Sequence, residues 1–321
     1  PLRLVGSEMC IRDRVGPAPT LPGILGASAP KINNADMKSY GWEMELSWRD
    51  RIEDFNYGVR FTLADGQRKV LKYPNESGDI YSWYNNKLDG TIWGYTTVGI
   101  AQTQEEMDAH LANNKPNWGS NWGAGDIMYA DLNGDGEVTS GSKTLNDHGD
   151  LKVIGNSYAR YNFGFTVDGS WRGLDFSIFL QGTMKRDYWL DGPYLWGASG
   201  DEWQSACFTE HLDYWTPEHT NAYYPKPYFG NIKKNQEVQS GYLQNAAYLR
   251  VKNVQVGYTL PKSWTKKAAM ESVRFYVSGD NLLTWTGISS IFDPETLGGD
   301  WGPGKLYPLQ RTLSVGVNVN F

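Results

Sequence analysis

Residues 161–181 constrain this chain more than any other stretch. Phe163, Phe165 and Val167 alternate with Asn162, Gly164, Thr166 and Asp168. Leu174, Phe176, Ile178 and Leu180 then alternate with Asp175, Ser177 and Gln181, Phe179 being the one exception. A hydrophobic period of two belongs to strands. The connection Trp171-Arg172-Gly173 is tight and offers a glycine for the left-handed conformation. Each arm has about the ten residues that a tilted strand needs to cross a bilayer. Two architectures fit this pattern. One is a hairpin of a membrane barrel with its apolar face on lipid; the other is a hairpin of a soluble sandwich with that face on a core.

Hydropathy does not separate them. The mean hydropathy is −0.54, and no run approaches the roughly eighteen apolar residues of a membrane helix. A barrel strand, however, shows lipid only every second residue, so a polar average is compatible with a membrane. The net charge of −6 and the lack of a Lys/Arg cluster disfavour nucleic acid as a partner. Cys10 and Cys207 alone provide neither a disulfide framework nor a thiol metal site.

The chain opens with Leu4-Val5-Gly6-Ser7-Glu8-Met9-Cys10-Ile11-Arg12-Asp13-Arg14, which resembles translated sequencing-adapter read-through. Residues 1–15 are therefore set aside as a non-native leader, the alternative being an ordinary flexible terminus. Neither reading makes them a signal peptide. Residues 16–321 are read as one unit. Residues 16–38 are rich in Pro, Gly, Ala and Asn and predict an extended loop. Trp42, Met44, Leu46 and Trp48, then Tyr57, Val59, Phe61 and Leu63, predict a second hairpin with a short turn. Residues 72–130 lose the alternation and read as a long folded loop with one helical patch at 104–112. Another long aromatic loop spans about 191–244. Val254, Val256, Tyr258 and Leu260, then Val273, Phe275 and Val277, predict two more strands, and a third loop occupies 289–307. In the last strand Leu313, Val315, Val317, Val319 and Phe321 alternate without exception.

The first long loop ends in Asp131-Leu132-Asn133-Gly134-Asp135-Gly136-Glu137. Oxygen ligands at positions one, three and five with glycine at six match the first half of an EF-hand calcium loop. Position twelve is Ser142, so the closing acid must come from Asp147 or, in preference, Asp150. Asp131, Asn133, Asp135, Glu137 and Asp150 are the candidate ligands of a structural calcium. The competing reading is an Asx-rich turn held by its own side chains. In the loops, Trp196, Trp203, Trp215 and Trp301 are expected either to face an external vestibule and its ligand or partner, or to pack the loops against one another.

Long loops follow the second, fourth and sixth strands, and short ones follow the first, third and fifth. That asymmetry is the one outer-membrane barrels show, with short periplasmic turns and long external loops. Trp48, Trp171 and Trp264 fall near the short-turn end, and Trp189 and Trp285 near the other, as interfacial girdles do. The expected fold is thus all-β: roughly seven antiparallel strands of a large transmembrane barrel.

An ordered set of motifs carries a family resemblance across about residues 23–321. It includes Gly41-Trp42-Glu43 with Ser47-Trp48-Arg49-Asp50, Ile92-Trp93-Gly94-Tyr95, Asp131-Leu132-Asn133-Gly134-Asp135-Gly136 and Ile154-Gly155-Asn156. Tyr248-Leu249-Arg250-Val251-Lys252-Asn253-Val254, Gly257-Tyr258-Thr259-Leu260-Pro261 and Ser278-Gly279-Asp280-Asn281-Leu282-Leu283-Thr284-Trp285 complete it. The chain resembles the C-terminal part of SusC/RagA-type TonB-dependent outer-membrane transporters. The resemblance implies a 22-stranded plugged barrel that imports glycan or peptide fragments, with a SusD-like surface lipoprotein as lid. It further implies TonB coupling through an N-terminal part not among these residues, and insertion by the barrel-assembly machinery with Phe321 as the terminal signal.

No enzyme signature competes with this. His110, His148, His211 and His219 have no HExxH or triad spacing, and no GxSxG elbow, P-loop or GxGxxG is present. The rival is a secreted, calcium-binding, aromatic-rich carbohydrate-recognition module, which would need its sheet covered on both faces.

Overall fold

The computed structural model describes residues 2–16, 26, 32–197, 207–228, 230, 233–298 and 305–321. Its main body is one antiparallel sheet. In spatial and chain order its strands are β1 (Leu2–Gly16), β2 (Ile32–Ile52), β3 (Phe55–Lys72), β4 (Arg160–Trp171), β5 (Leu174–Lys185), β6 (Gln244–Thr259), β7 (Ser272–Gly287) and β8 (Thr312–Asn320). A short segment, Asp187–Tyr188, adds to the start of β6. Every strand pairs with its neighbour in sequence, so the connections alternate between the two ends of the sheet.

At one end the connections are short. Glu53 and Asp54 join β2 to β3, and Arg172 and Gly173 join β4 to β5. Arg172 and Gly173 have φ of 46° and 92°, the pair of left-handed residues a type I′ hairpin needs, with glycine taking the second position without strain. At the other end lie residues 73–159, 186–243 and 288–311. The predicted helical patch is α1 (Gln104–Leu111), whose first turn is capped by Thr103 accepting from the Glu106 amide.

The register converts the alternation of each strand into continuous rows across the sheet. Leu46, Phe61, Phe165, Leu180, Val251 and Leu283 are successive cross-strand partners. One step nearer the short turns come Trp48, Val59, Val167, Ile178, Val254, Gly279 and Leu313. The interleaved rows are polar: Ser47, Arg60, Thr166, Asn253, Asp280 and Thr312 share one with Phe179. Partners in a row point to the same side, so the sheet has one apolar and one polar face. Phe179 breaks the pattern because it belongs to the polar face, where its ring lies over Gly164. Beside it a bulge at Lys252 lets β6 pass from Asn253, opposite Phe179, to Val251, opposite Leu180.

Neither face is covered by a second layer. The main buried cluster contains Ile80, Tyr95, Ile127, Tyr129, Val138, Leu151, Leu190, Leu195, Trp196, Tyr224, Tyr242, Ile288, Phe292 and Leu297, all from the long connections, with Ala246 at the very start of β6. Val315 remains 82% exposed and Trp48 62% exposed on the apolar face. A sandwich is thereby excluded for the described residues. The hydrophobic core belongs to the loops.

Two sequence expectations are corrected. The loop expected up to residue 38 gives way to strand at Ile32, where Ala35 and Met37 are already buried. Residues 2–16 run as the edge strand β1 beside β2. Main-chain pairing along an open edge takes any residues that are not proline, so no side-chain signal announces it. Trp189 is not a girdle residue: it packs against the loop core, 6.2 Å from Trp196. The girdle at the short-turn end is fuller than expected, since Phe55, Trp171, Tyr258 and Phe275 form one row.

Candidate functional site: the folded loop cap

The long connections fold together into a cap at one end of the sheet, and the first of them carries the Asp131 loop. Asp131 accepts from the Gly134 amide at 2.6 Å and the Gly136 amide at 2.7 Å, one on each carboxylate oxygen. Those amides, Gly136 first, hold the Asp131 carboxyl below the usual carboxylate range. Asn133 accepts from the Asp135 amide, and Asp135 from the Glu137 amide, both at 2.9 Å. Asp150, fully buried, ties the two ends of the loop together. It accepts from the Leu132 and Asn133 amides on one oxygen (2.6 and 3.3 Å) and the Thr139 amide on the other (2.7 Å). Asp147 serves a separate turn, taking the Ser142 amide and hydroxyl.

These oxygens are directed at main-chain N–H groups. Among the described residues no three His, Cys, Asp or Glu side chains gather as a metal site. The arrangement has the geometry of successive Asx turns.

A buried ion pair joins the first and second long connections. Lys234 Nζ lies 2.7 Å from Asp126 Oδ2, the side chains being 1% and 0% exposed. The ammonium also donates to the Asn121 carbonyl at 2.6 Å and sits 4.3 Å from the Tyr228 ring centroid. Asp126 accepts from the Gly123 amide and from Asn235 Nδ2, and Asn235 Oδ1 accepts from the Ile127 amide. Each charge has an opposite charge and further hydrogen bonds, the condition under which desolvation is offset. Around the pair, Tyr129 donates to the Lys234 carbonyl at 3.2 Å and accepts from Gln239 at 3.0 Å. Burial pushes the Tyr129 phenol well up.

The third long connection is pinned to the polar face of the sheet. Arg250, 4% exposed in its side chain, meets Asp293 and Glu295 at 2.8 Å each, and Lys252 meets Glu295 at 2.9 Å. Arg250 also donates to Thr284 at 2.8 Å. Lower on that face, Arg274 of β7 reaches across Gly257 of β6 to Asp175 of β5, with its Nε 3.0 Å from Asp175 Oδ1. A side chain at 257 would stand in the path of the guanidinium.

Trp196 and Trp215 pack the cap from within. Trp196 is buried with its ring 4.7 Å from that of Tyr242, and Trp215 is buried with Nε1 donating to Gln102 at 3.1 Å. Trp203 and Trp301 lie outside the described residues. Phe321 follows β8 and is 89% exposed. Sequence reasoning misses Asp126, Lys234, Asp293 and Glu295. Only Arg250 and Lys252 leave a signal, as basic residues two apart on the polar side of an alternating strand.

No family model matches the chain. Over 96% of its length it is 26% identical to TonB-dependent receptor P3 of Formosa agariphila, of which it covers 31%. Over 90% it is 22% identical to TonB-dependent receptor SusC of Bacteroides thetaiotaomicron, of which it covers 27%. In fold it matches the RagAB peptide importer in its open-open state with a TM-score of 0.69, over 99% of this chain and 33% of that one, at 20% identity. The chain spans less than a third of the length of these curated relatives. With the two-faced single sheet, the short turns at one end and the folded cap at the other, the chain is similar in sequence to TonB-dependent receptors and matches in fold a C-terminal part of such a barrel.

Proposed function

We propose that this chain is wall and cap of an outer-membrane importer that takes up peptide or glycan fragments. It works with a SusD-like surface lipoprotein and draws energy from TonB through an N-terminal part. The observation that carries the reading is the row structure of the sheet. An unbroken apolar face with aromatic residues toward its short-turn end suits lipid, and a polar face with buried ion pairs suits a lumen. SusC is named a TonB-dependent receptor and RagAB a peptide importer, which supports an import role.

Phe321 and the alternating β8 before it fit a role in delivery to the barrel-assembly machinery. The reading is tested by disrupting the gene in its host. Detergent-dependent extraction of the receptor from the outer-membrane fraction, co-purification of a surface lipoprotein, and loss of oligopeptide or oligosaccharide uptake in the disruptant are the expected results. Recovery of the receptor in the soluble fraction, or unchanged uptake of both classes, would overturn it.

A further inference from the structure

The second long connection encloses a cavity of about 250 Å³. Its floor is formed by Trp196, His211 and Tyr224, all buried, and its margin by Leu212, Tyr214 and Cys207. Leu212 stands 70% exposed at the opening, and the exposed Phe208 adjoins it, 5.6 Å ring to ring from His211. The lining is mostly aromatic and aliphatic from the rim inward, with Lys226, Asn235 and Gln236 as its charged and amide members.

Of the polar groups at the wall, His211 and Asn235 are already committed, and the Lys226 ammonium lies 5.6 Å from the Tyr228 ring centroid, leaving Gln236 as the other polar member of a mainly apolar lining. His211 Nδ1 accepts from the Phe208 amide at 2.9 Å and Nε2 donates to the Tyr194 carbonyl at 3.1 Å. The Asn235 amide is consumed by Asp126 and Ile127. A ligand entering the cavity therefore meets ring faces and finds few free donors or acceptors. A sugar would give up the water on its hydroxyls without replacement, whereas an aromatic or branched aliphatic side chain loses nothing polar and removes its surface from water.

The neighbouring backbone excludes recognition by strand addition. Pro225 and Pro227 carry no N–H, and the Lys226 N–H between them is taken by the Gly125 carbonyl at 2.8 Å. Binding at this ridge has to come from side-chain insertion. A second cavity, of about 480 Å³, shares Tyr214, Lys226, Pro227 and Tyr228 with the first, so a peptide laid across the ridge has room for a second side chain.

We propose that the Trp196 cavity is a specificity subsite for one aromatic or branched aliphatic side chain of a peptide, and that it rejects sugar rings. This rests on the importer reading above and assigns that importer a peptide class. Cys207 at the margin reports occupancy directly. In the purified full-length receptor, alkylation of Cys207 by a maleimide is followed by mass spectrometry. The probes are Gly-Gly-Phe-Gly-Gly, Gly-Gly-Leu-Gly-Gly, Gly-Gly-Ser-Gly-Gly and maltohexaose. The Phe and Leu peptides are expected to slow alkylation at least fivefold, the Ser peptide and the oligosaccharide to leave it unchanged, and Leu212→Asp to abolish the protection. Equal protection by the Phe and Ser peptides, protection by maltohexaose, absence of any protection, or protection surviving in Leu212→Asp would overturn the proposal. Peptide uptake by cells with and without the receptor separates the two readings. Receptor-dependent uptake without protection removes the subsite alone, and uptake independent of the receptor removes the importer reading.

Discussion

Asp126 and Lys234, 108 residues apart in the sequence, meet in the interior of the cap with 2.7 Å between carboxylate and ammonium. Removing one partner strands the other charge in a buried site. Lys234→Met is expected to destabilise the cap by about 3–5 kcal/mol, whereas Asp126→Leu with Lys234→Met recovers much of the loss. Hydrogen exchange at Ile127 and Tyr129 in the full-length receptor measures both. Equal exchange in Lys234→Met and wild type would refute the clamp.

The cap should weaken in mild acid through His110. Its Nε2 donates to the Tyr129 carbonyl at 2.8 Å, and burial lowers its pKa below the ordinary 6.5. The unfolded cap therefore takes up a proton first as the pH drops. Stability is full above about 6.5 and is lost downward toward the lowered folded value. His110→Gln is expected to flatten this dependence. Thermal unfolding of the two proteins between pH 7.5 and 5 checks it, and identical slopes would count against His110.

Asp150→Asn keeps the shape of the side chain but turns one acceptor oxygen into a donor facing an amide. Loosening of the Asp131 loop by about 1–3 kcal/mol is expected, read as faster exchange of the Leu132 and Thr139 amides. Because the loop oxygens serve main-chain N–H groups, a chelator should leave the wild-type melting temperature where calcium has it. A rise with calcium that disappears in Asp131→Ala with Asp135→Ala would restore the metal reading.

Loss of Phe321 distinguishes an assembly role from simple burial. As one more girdle aromatic it would contribute roughly 2–3 kcal/mol, and its deletion would leave surface levels near normal. We expect the deletion in the full-length receptor to accumulate unassembled in the periplasm, as surface labelling would show.

The parts of the fold that were legible in the sequence are those where water or lipid dictates a residue at every second position. Phe163 to Val167 and Leu313 to Val319 announce their strands because each residue's face is set by its surroundings alone. The upper ends of the strands were not legible. From Ile32 to Met37 and from Leu282 to Gly287 the strands continue into the loop end, where the apolar alternation is broken. The cap was legible as aromatic and folded but not in its contacts, since Arg250 finds Asp293 and Lys234 finds Asp126 through long-range closure that no local pattern encodes. The amide partners of Asp150 were not legible, because an acid closing a loop looks the same in sequence whether it accepts from amides, binds a cation or does both.

The core drawn from three separate connections bears on how such receptors diversify. Ile80 and Tyr129 come from the first, Leu195 and Tyr224 from the second, and Phe292 and Leu297 from the third, while the sheet below contributes almost nothing to it. A single loop transplanted from one receptor to another would meet foreign surfaces on two sides. All three moved together would bring their own interior with them and ask of the recipient only matching strand ends. The cap in this architecture is therefore exchangeable as a cassette, and recombination breakpoints that separate the three loops should be selected against.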